Sequence, residues 1–243
     1  MKNNYKAFTL AEVLITLGII GIVASLTLPA IIQKQNEKAT VTALKKFYSS
    51  ISQAYLFAKN EYGSVNEWYS YSEESTQSER SKIAAERLSK YMKNTRVCYE
   101  ADGCFPDMVY NRIDGQTAGH LQNTDYSRLI TSDGMNVLID VEKREKYDFL
   151  YTVIIVDING YKKPNTIGRD TFSFILLKDK IIPTGAENAS QLMPGTKATF
   201  PDDCNRKKCT DICTGCTAWV IYNENLDYLH CDNLSWQGKK TCK

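Results

Sequence analysis

Four side chains with hard oxygen donors fall within one short, glycine-containing stretch, DINGYKKPNTIGRDTF: Asp157, Asn159, Asn165 and Asp170. Calcium prefers carboxylate and amide oxygens, helped by backbone carbonyls that glycines leave accessible, so this loop is a candidate calcium site. It is not an EF-hand, because Gly168 stands where the twelfth-position glutamate would be. The competing reading is a turn-rich connection in which Asp and Asn side chains hydrogen-bond the local backbone.

The second group is sulfur. All eight cysteines, Cys98, Cys104, Cys204, Cys209, Cys213, Cys216, Cys231 and Cys242, lie beyond the long apolar stretch near the N-terminus. An even count gathered there reads as disulfides formed in an oxidising compartment. Cys98 and Cys104 are near enough in sequence to close a small loop, and the pairing of the other six is left open. A four-thiolate zinc site at Cys204, Cys209, Cys213 and Cys216 is the rival, but only Cys213 and Cys216 have the usual CxxC spacing.

Catalysis finds little to stand on. There are two histidines, His120 and His230, and no GxSxG, HExxH or P-loop. The glycines at Gly115 and Gly119 lack the strand-to-helix context of a phosphate cradle. The chain reads as a non-enzyme with no small-molecule substrate. Trp68, Tyr69, Tyr71, Trp219 and Trp236 are candidates for contact surfaces, although aromatics of this kind more often pack inside.

What must position these groups begins with Phe8–Ile32, an apolar stretch whose single charge is Glu12. At helical rise it spans about 37 Å, enough to cross a hydrocarbon core of about 30 Å. The run is longer than a secretory signal's apolar region and continues into more helix, so it reads as a retained anchor. The leader Met1–Ala7 carries Lys2 and Lys6, which keeps it cytoplasmic and sends the C-terminal bulk outward. That direction agrees with the cysteines. A carboxylate deep in a span costs on the order of 2.5–3.5 kcal/mol. Glu12 lies near one end, and a cut before Phe8 would put the new α-amino group one helical turn away.

Here the sequence resembles the type IV pilin and pseudopilin family, whose signature is a short basic leader, then FTLxE, then an apolar helix. Phe8, Thr9, Leu10 and Glu12 match it, and Pro29 stands where many such helices carry a proline. Ala7 departs from the more usual glycine before the cut, while remaining small. The resemblance implies cleavage between Ala7 and Phe8 by a prepilin peptidase and N-methylation of Phe8. It also implies assembly on an inner-membrane platform, with Glu12 pairing to the terminal amine of a neighbouring subunit. Some pseudopilins hold calcium in a loop late in the sheet region, which agrees with the reading of Asp157–Asp170.

Beyond the span, Ala43, Phe47, Ile51, Ala54, Tyr55, Ala58 and Tyr62 recur at steps of three and four, one face of a continuing helix that Gly63 should stop. Pro29 should bend or loosen it. A polar connection follows over Ser64–Ser81, then a helix over Glu79–Lys93 and a mostly irregular Arg96–Asp125. Strands are expected at Leu129–Thr131 and Met135–Val141 around the turn Ser132-Asp133-Gly134. Tyr151–Asp157 should be a central strand, and Thr171–Leu177 with Lys180–Ile182 a hairpin. Cys216–Tyr222 fits either a helix or a strand. The expected class is α+β: a long N-terminal helix against an antiparallel sheet, with a disulfide-rich C-terminal region. The divisions are leader 1–7, membrane and assembly helix 8–32, and outward-facing domain 33–243 with a cysteine-rich tail over 204–243. Apolar residues thin out after Tyr222, so the tail is expected to rely on its crosslinks.

Hydrophobic content of 43% and charged content of 24% are globular values. Without Lys2 and Lys6, 28 basic residues face 28 acidic ones, which argues against nucleic acid as a partner. The expected function is a minor pilin or pseudopilin, anchored in the inner membrane and assembled into a type IV pilus-like or type II secretion filament with other subunits. The alternative is a tip-located adhesin that binds through the cysteine-rich region.

Overall fold

The computed structural model describes residues 8–69, 75–99, 108–122, 125–144, 149–178, 180–193 and 196–242. The leader with Ala7, and Tyr71 and Cys104, lie outside the described residues. The chain divides into two compact units, Met1–Ala39 and Thr40–Lys243. Helix α1 (Leu10–Tyr62) contributes to both, and its helical assignment is unbroken through Pro29. It stops where Gly63 takes a φ of +77° and donates its N–H to the Lys59 carbonyl at 3.0 Å, a left-handed stop that glycine adopts without Cβ strain.

In the first unit the apolar side chains of α1 are exposed, from Leu10 to Ile32. In the second, Val41, Leu44, Phe47, Ile51, Ala54, Tyr55 and Ala58 are buried. Phe47 to Ala58 is the stripe that the three-and-four periodicity predicts; Val41 and Leu44 extend it, while the expected Ala43 and Tyr62 are only half-buried. The stripe lies against one face of an eight-stranded sheet ordered β1-β3-β4-β5-β7-β6-β2, with β8 also paired to β7. The strands are β1 (Asn94–Cys98), β2 (Asn111–Arg112), β3 (Ser127–Thr131), β4 (Asn136–Arg144), β5 (Phe149–Asp157), β6 (Thr166–Ile167), β7 (Thr171–Leu176) and β8 (Ile181–Pro183). Phe47 and Tyr48 meet Phe174 of β7, with Tyr48 stacked at 5.4 Å between centroids. Tyr55 donates its hydroxyl to the Lys178 carbonyl at 2.5 Å. Each large side chain sealed here contributes about 1.5–3 kcal/mol relative to exposure.

β5 is central, as its β-branched composition predicts, between β4 and β7 in nine-residue and six-residue antiparallel ladders. Val137, Ile139, Val141, Ile154, Val156, Phe172, Phe174 and Leu176 belong to the core shared with α1. The opposite face carries Leu138 and Ile155 under Tyr110, Leu121 and Cys213. The alternation follows from the two-residue period of a strand. The expectation of an antiparallel sheet needs correction: β6 runs parallel to both β7 and β2, so the sheet is mixed. These parallel contacts involve two-residue strands within and beside a long loop, too short for any sequence periodicity to reveal.

Two helical expectations shift. Helix α2 (Gln77–Ser89) starts earlier than Glu79, because Thr76 accepts from the Glu79 N–H while Glu79 reaches back to the Thr76 N–H, a reciprocal cap. The polar connection is correspondingly shorter. Besides the single turn α3 (Ala189–Leu192), the apolar run Cys216–Tyr222 is a helix, α4 (Thr217–Asn223). It docks on β7 through Thr217 Oγ1, which accepts from the Ser173 N–H at 3.0 Å, and on the residue after β8 through the Ala218 N–H, which donates to the Thr184 carbonyl at 2.8 Å.

The tail departs most from expectation. Cys204, Cys216, Trp219, Val220, Leu226, Tyr228 and Leu234 belong to the main core, and Phe200 stacks on Trp219 with centroids 4.1 Å apart. Its apolar residues are few but, Tyr222 apart, buried or half-buried, so crosslinks are not its only support. Asp203, fully buried, organises the segment: Oδ1 accepts from the Asp211 and Cys213 N–H groups at 2.7 and 3.1 Å, and Oδ2 from those of Thr214 and Gly215 at 2.9 and 3.2 Å. Asp203→Ala should strand these donors in a dry site, where each unsatisfied group costs about 1–3 kcal/mol. The expected outcome is a loss of at least about 3 kcal/mol, read as a lowered urea midpoint of the detergent-solubilised chain. The surface change Asp202→Ala should leave the midpoint within about 0.5 kcal/mol.

Candidate functional site

At the start of α1, Phe8 is 85% exposed. Thr9 donates both its N–H and its hydroxyl to Glu12 Oε2 at 2.8 Å, and accepts the Glu12 N–H on Oγ1 at 3.2 Å. This is a capping box, spelled by the T-x-x-E spacing, and it fixes how the helix begins. The carboxylate therefore has a partner within its own helix, a role for Thr9 that the sequence reading passed over although the spacing signals it. The helix is exposed along its apolar length in this unit, and among the described residues it is the one helix long and apolar enough to cross a membrane.

The cysteines pair locally: Cys204 with Cys216, Cys209 with Cys213, and Cys231 with Cys242. Cys98 is also disulfide-bonded. The four candidates for a thiolate zinc site are thus two disulfides. Asp114 lies beside Cys209 and Cys213. Its carboxylate is engaged by Arg112 at 2.5 Å and by the Cys209 N–H at 3.1 Å, and the paired sulfurs offer no thiolate. Trp68, Tyr69 and Trp219 are buried and Trp236 is half-buried. Tyr69 bonds Thr152 through its hydroxyl at 2.8 Å, and the Trp219 indole donates to Asn225 Oδ1 at 2.9 Å. They are packing residues.

Asp157, Asn159, Asn165 and Asp170 are brought together. Asp157 ends β5 and Asp170 immediately precedes β7, so the ladder sets the two ends of the loop side by side. Asp157, Asn165 and Asp170 are almost wholly buried. Asp157 Oδ1 accepts from the N–H groups of Asn159 and Gly160 at 3.2 and 3.1 Å, and Oδ2 from the Tyr110 hydroxyl at 3.1 Å. Asp170 Oδ1 accepts from the Thr166 N–H at 2.5 Å and the Thr171 hydroxyl at 3.2 Å, and Oδ2 from Asn159 Nδ2 at 3.2 Å. Asn159 thus binds both carboxylates. Burial, joined by the Asp170 charge, pushes the Asp157 carboxyl up to about 7, and burial pushes Asp170 up to about 6. Two acidic groups in a dry site disfavour each other's charge, and a bound cation reverses that balance.

Two contributors could not be read from the loop's own sequence. Tyr110 arrives from a distant segment, held by the Asn111 N–H donating to the Asn165 carbonyl at 3.0 Å. Asn136 is the first residue of β4 and stands directly opposite Asp157 in the ladder. The turn before Asn136 also touches the loop, because a Cβ on Gly160, whose φ is +65°, would lie 2.2 Å from the Gly134 carbonyl oxygen.

Residues 30–224 match a family of unknown function (DUF6613), and residues 2–28 match the prokaryotic N-terminal methylation motif. The second match makes the chain a bearer of the type IV pilin and pseudopilin signature, as Phe8, Thr9, Leu10 and Glu12 imply. The first covers most of the chain, which therefore belongs to the DUF6613 family. No curated protein and no solved structure matches it.

Gly160→Ala combines left-handed backbone strain with the clash against Gly134, and should cost about 1–3 kcal/mol or more. Gly115→Ala, at a φ of +84° with open space around it, carries the strain alone and should cost less. Urea midpoints of the two variants measured side by side give the comparison.

Proposed function

We propose that the chain is a minor pilin or pseudopilin. In this reading it is held in the inner membrane by α1, cut between Ala7 and Phe8, methylated on Phe8, and polymerised into a type II secretion or related type IV pilus-like filament. The observation that carries the reading is the methylation motif on a helix whose apolar side chains from Leu10 to Ile32 remain exposed. Such a surface needs an apolar environment, first lipid and then the helices of neighbouring subunits. The single apolar N-terminal helix and the signature fit an inner-membrane anchored protein, and the motif implies a structural subunit rather than an enzyme. Its partners are other pilin subunits, the prepilin peptidase and the assembly platform.

The adhesin alternative draws on a cleft of about 300 Å³ between Asn205–Lys207 and Asp232–Leu234, floored by Phe200 and Tyr228. Abundance separates the two, because a filament subunit recovered at a few copies per tip and required for adhesion is a different object from one distributed along the shaft.

Processing is tested by N-terminal mass analysis of chain extracted from sheared filaments. The expected terminus is methylated Phe8, and a retained Met1 or Lys2 in assembled material would refute the reading. Glu12→Gln should keep insertion intact, since it removes an ionisable group from the span. It should also lower the amount of chain in sheared filaments at least about tenfold, a loss equivalent to roughly 1.4 kcal/mol in an assembly equilibrium. Membrane fractionation beside filament shearing distinguishes the two effects.

A further inference from the structure

The face of the sheet turned away from α1 carries a cleft of about 140 Å³, and strand register lays out its floor. Asp140 of β4 stands opposite Val153 of β5, and Val153 opposite Ile175 of β7, so one row across the sheet runs from a carboxylate to aliphatic side chains. Glu142 follows Asp140 by two residues, which puts it on the same face, opposite Tyr151. Val153 is only half-buried although β5 is central to the sheet. Met193, Lys197 and Asp211 belong to the loops that wall the cleft. Among the described residues lining it, three carboxylates, Asp140, Glu142 and Asp211, meet one cation, the exposed Lys197.

We propose that this cleft binds an ammonium or guanidinium group carried on an aliphatic stem, as a lysine or arginine side chain or a free diamine presents it. The stem lies over Val153, Ile175 and Met193, and the charged head sits by Asp140 and Glu142. Volume sets the size class. The cleft exceeds the roughly 30 Å³ that one water occupies in the liquid, yet falls well short of the roughly 300 Å³ at which pockets for drug-sized ligands begin. An apolar floor beside carboxylates suits an amphipathic cation, which buries its methylenes and keeps its charge on polar groups. Tyr126 and Tyr151 line the same cleft, and aromatic rings attract a cation. An anion would meet an excess of like charge, and a neutral apolar ligand would strip water from the carboxylates without replacing it. Nor are the three carboxylates gathered as the ligands of one metal ion.

The carboxylates are held in place before any ligand arrives. Asp140, 3% exposed, accepts on Oδ1 from Gln77 Nε2 at 2.8 Å and from the Ser81 hydroxyl at 3.3 Å, both on α2. The buried Tyr151 donates its hydroxyl to Glu142 Oε2. An ionised carboxylate has about four lone-pair sites, so these bonds orient each group and leave acceptor capacity for a further donor. Burial, joined by the Glu142 charge, pushes the Asp140 carboxyl up to about 6. A cation beside the pair favours the charged form of both. The proposal is independent of filament assembly and stands or falls without it.

The test uses the full chain in a non-ionic detergent and reads saturation-transfer NMR on three probes. They are Nα-acetyl-lysine N-methylamide, 1,5-diaminopentane, and the uncharged Nα-acetyl-norleucine N-methylamide. At least one amine should bind with a Kd of about 1 mM or tighter, a modest affinity for a ligand of this size. The norleucine probe should bind at least about tenfold more weakly, as expected when a hydrogen bond to a charged group is lost. The capped lysine binding more tightly than the diamine assigns the cleft to a side chain of a protein partner, and the reverse order assigns it to a free amine. Asp140→Asn with Glu142→Gln should weaken the amines at least about tenfold. Both substitutions keep an acceptor for the existing hydrogen bonds, so the fold should be retained. Lys197→Ala should tighten binding at least about twofold by removing the cleft's own cation, a gain that misfolding cannot imitate. No amine bound at about 10 mM, tenfold above the expected Kd, would overturn the proposal. So would norleucine binding as tightly as lysine, or amine affinity unchanged in the double variant.

Discussion

The contact on which the structure depends is the seal between residues 41–58 of helix α1 and one face of β4, β5 and β7. The helix offers Leu44, Phe47, Ile51, Ala54 and Tyr55, and the strands offer Ile139, Ile154, Val156, Phe172 and Phe174, all buried. Neither partner is stable alone in water: an isolated sheet face of this kind is apolar, and a helix draws most of its stability in proteins from packing its apolar stripe. Helix α2 joins the same core through Ala84, Ala85 and Leu88, and extends cover to the β3 and β4 edge. One helix thus does two incompatible jobs along its length. Its first part is apolar and exposed, and its second part is amphipathic and buried.

The C-terminal segment is held by three kinds of interaction that reinforce one another. Local disulfides close small loops, the Asp203 carboxylate gathers four backbone N–H groups, and Trp219 and Phe200 anchor the segment in the main core. Burial pushes the Asp203 carboxyl up while its hydrogen bonds pull it down, so the group is held by geometry as much as by charge. A tail tied this way moves with the sheet rather than as an appendage, because α4 is bonded directly to β7.

The end of these strands where β4 and β7 begin and β5 stops is built on a different principle. Asp157, Asp170, Asn136, Asn159 and Asn165 place polar groups where the surrounding strands are packed and dry. A sequence selected for stability alone would fill the ends of β4, β5 and β7 with apolar residues, as it does in their middles. Local conflict of this sort, amid otherwise consistent packing, is where function is expected. The loop's glycines fit that view: Gly160 accepts the approach of Gly134, and Gly168 at a φ of +85° closes against the Cys216 sulfur.

Local periodicity and spacing were enough to read several parts of the fold from the residues. The apolar run and its signature at Phe8–Glu12, the stripe from Phe47 to Ala58, the stop at Gly63, and the strands expected at Leu129–Thr131, Met135–Val141 and Tyr151–Asp157, whose ends the structure moves by up to three residues, follow from patterns of 3.6 and 2.0 residues and from turn chemistry. The oxygen-rich loop was legible as a run of donors. Tertiary structure alone decided which sulfurs pair, that Cys216–Tyr222 becomes a helix, that β6 lies parallel to β2 and β7, and that Asn136 and Tyr110 stand over Asp157. These contacts join residues tens of positions apart, or involve segments too short to carry a period. Such segments take their conformation from the surface they pack on, and that surface exists only once the helix and sheet have closed.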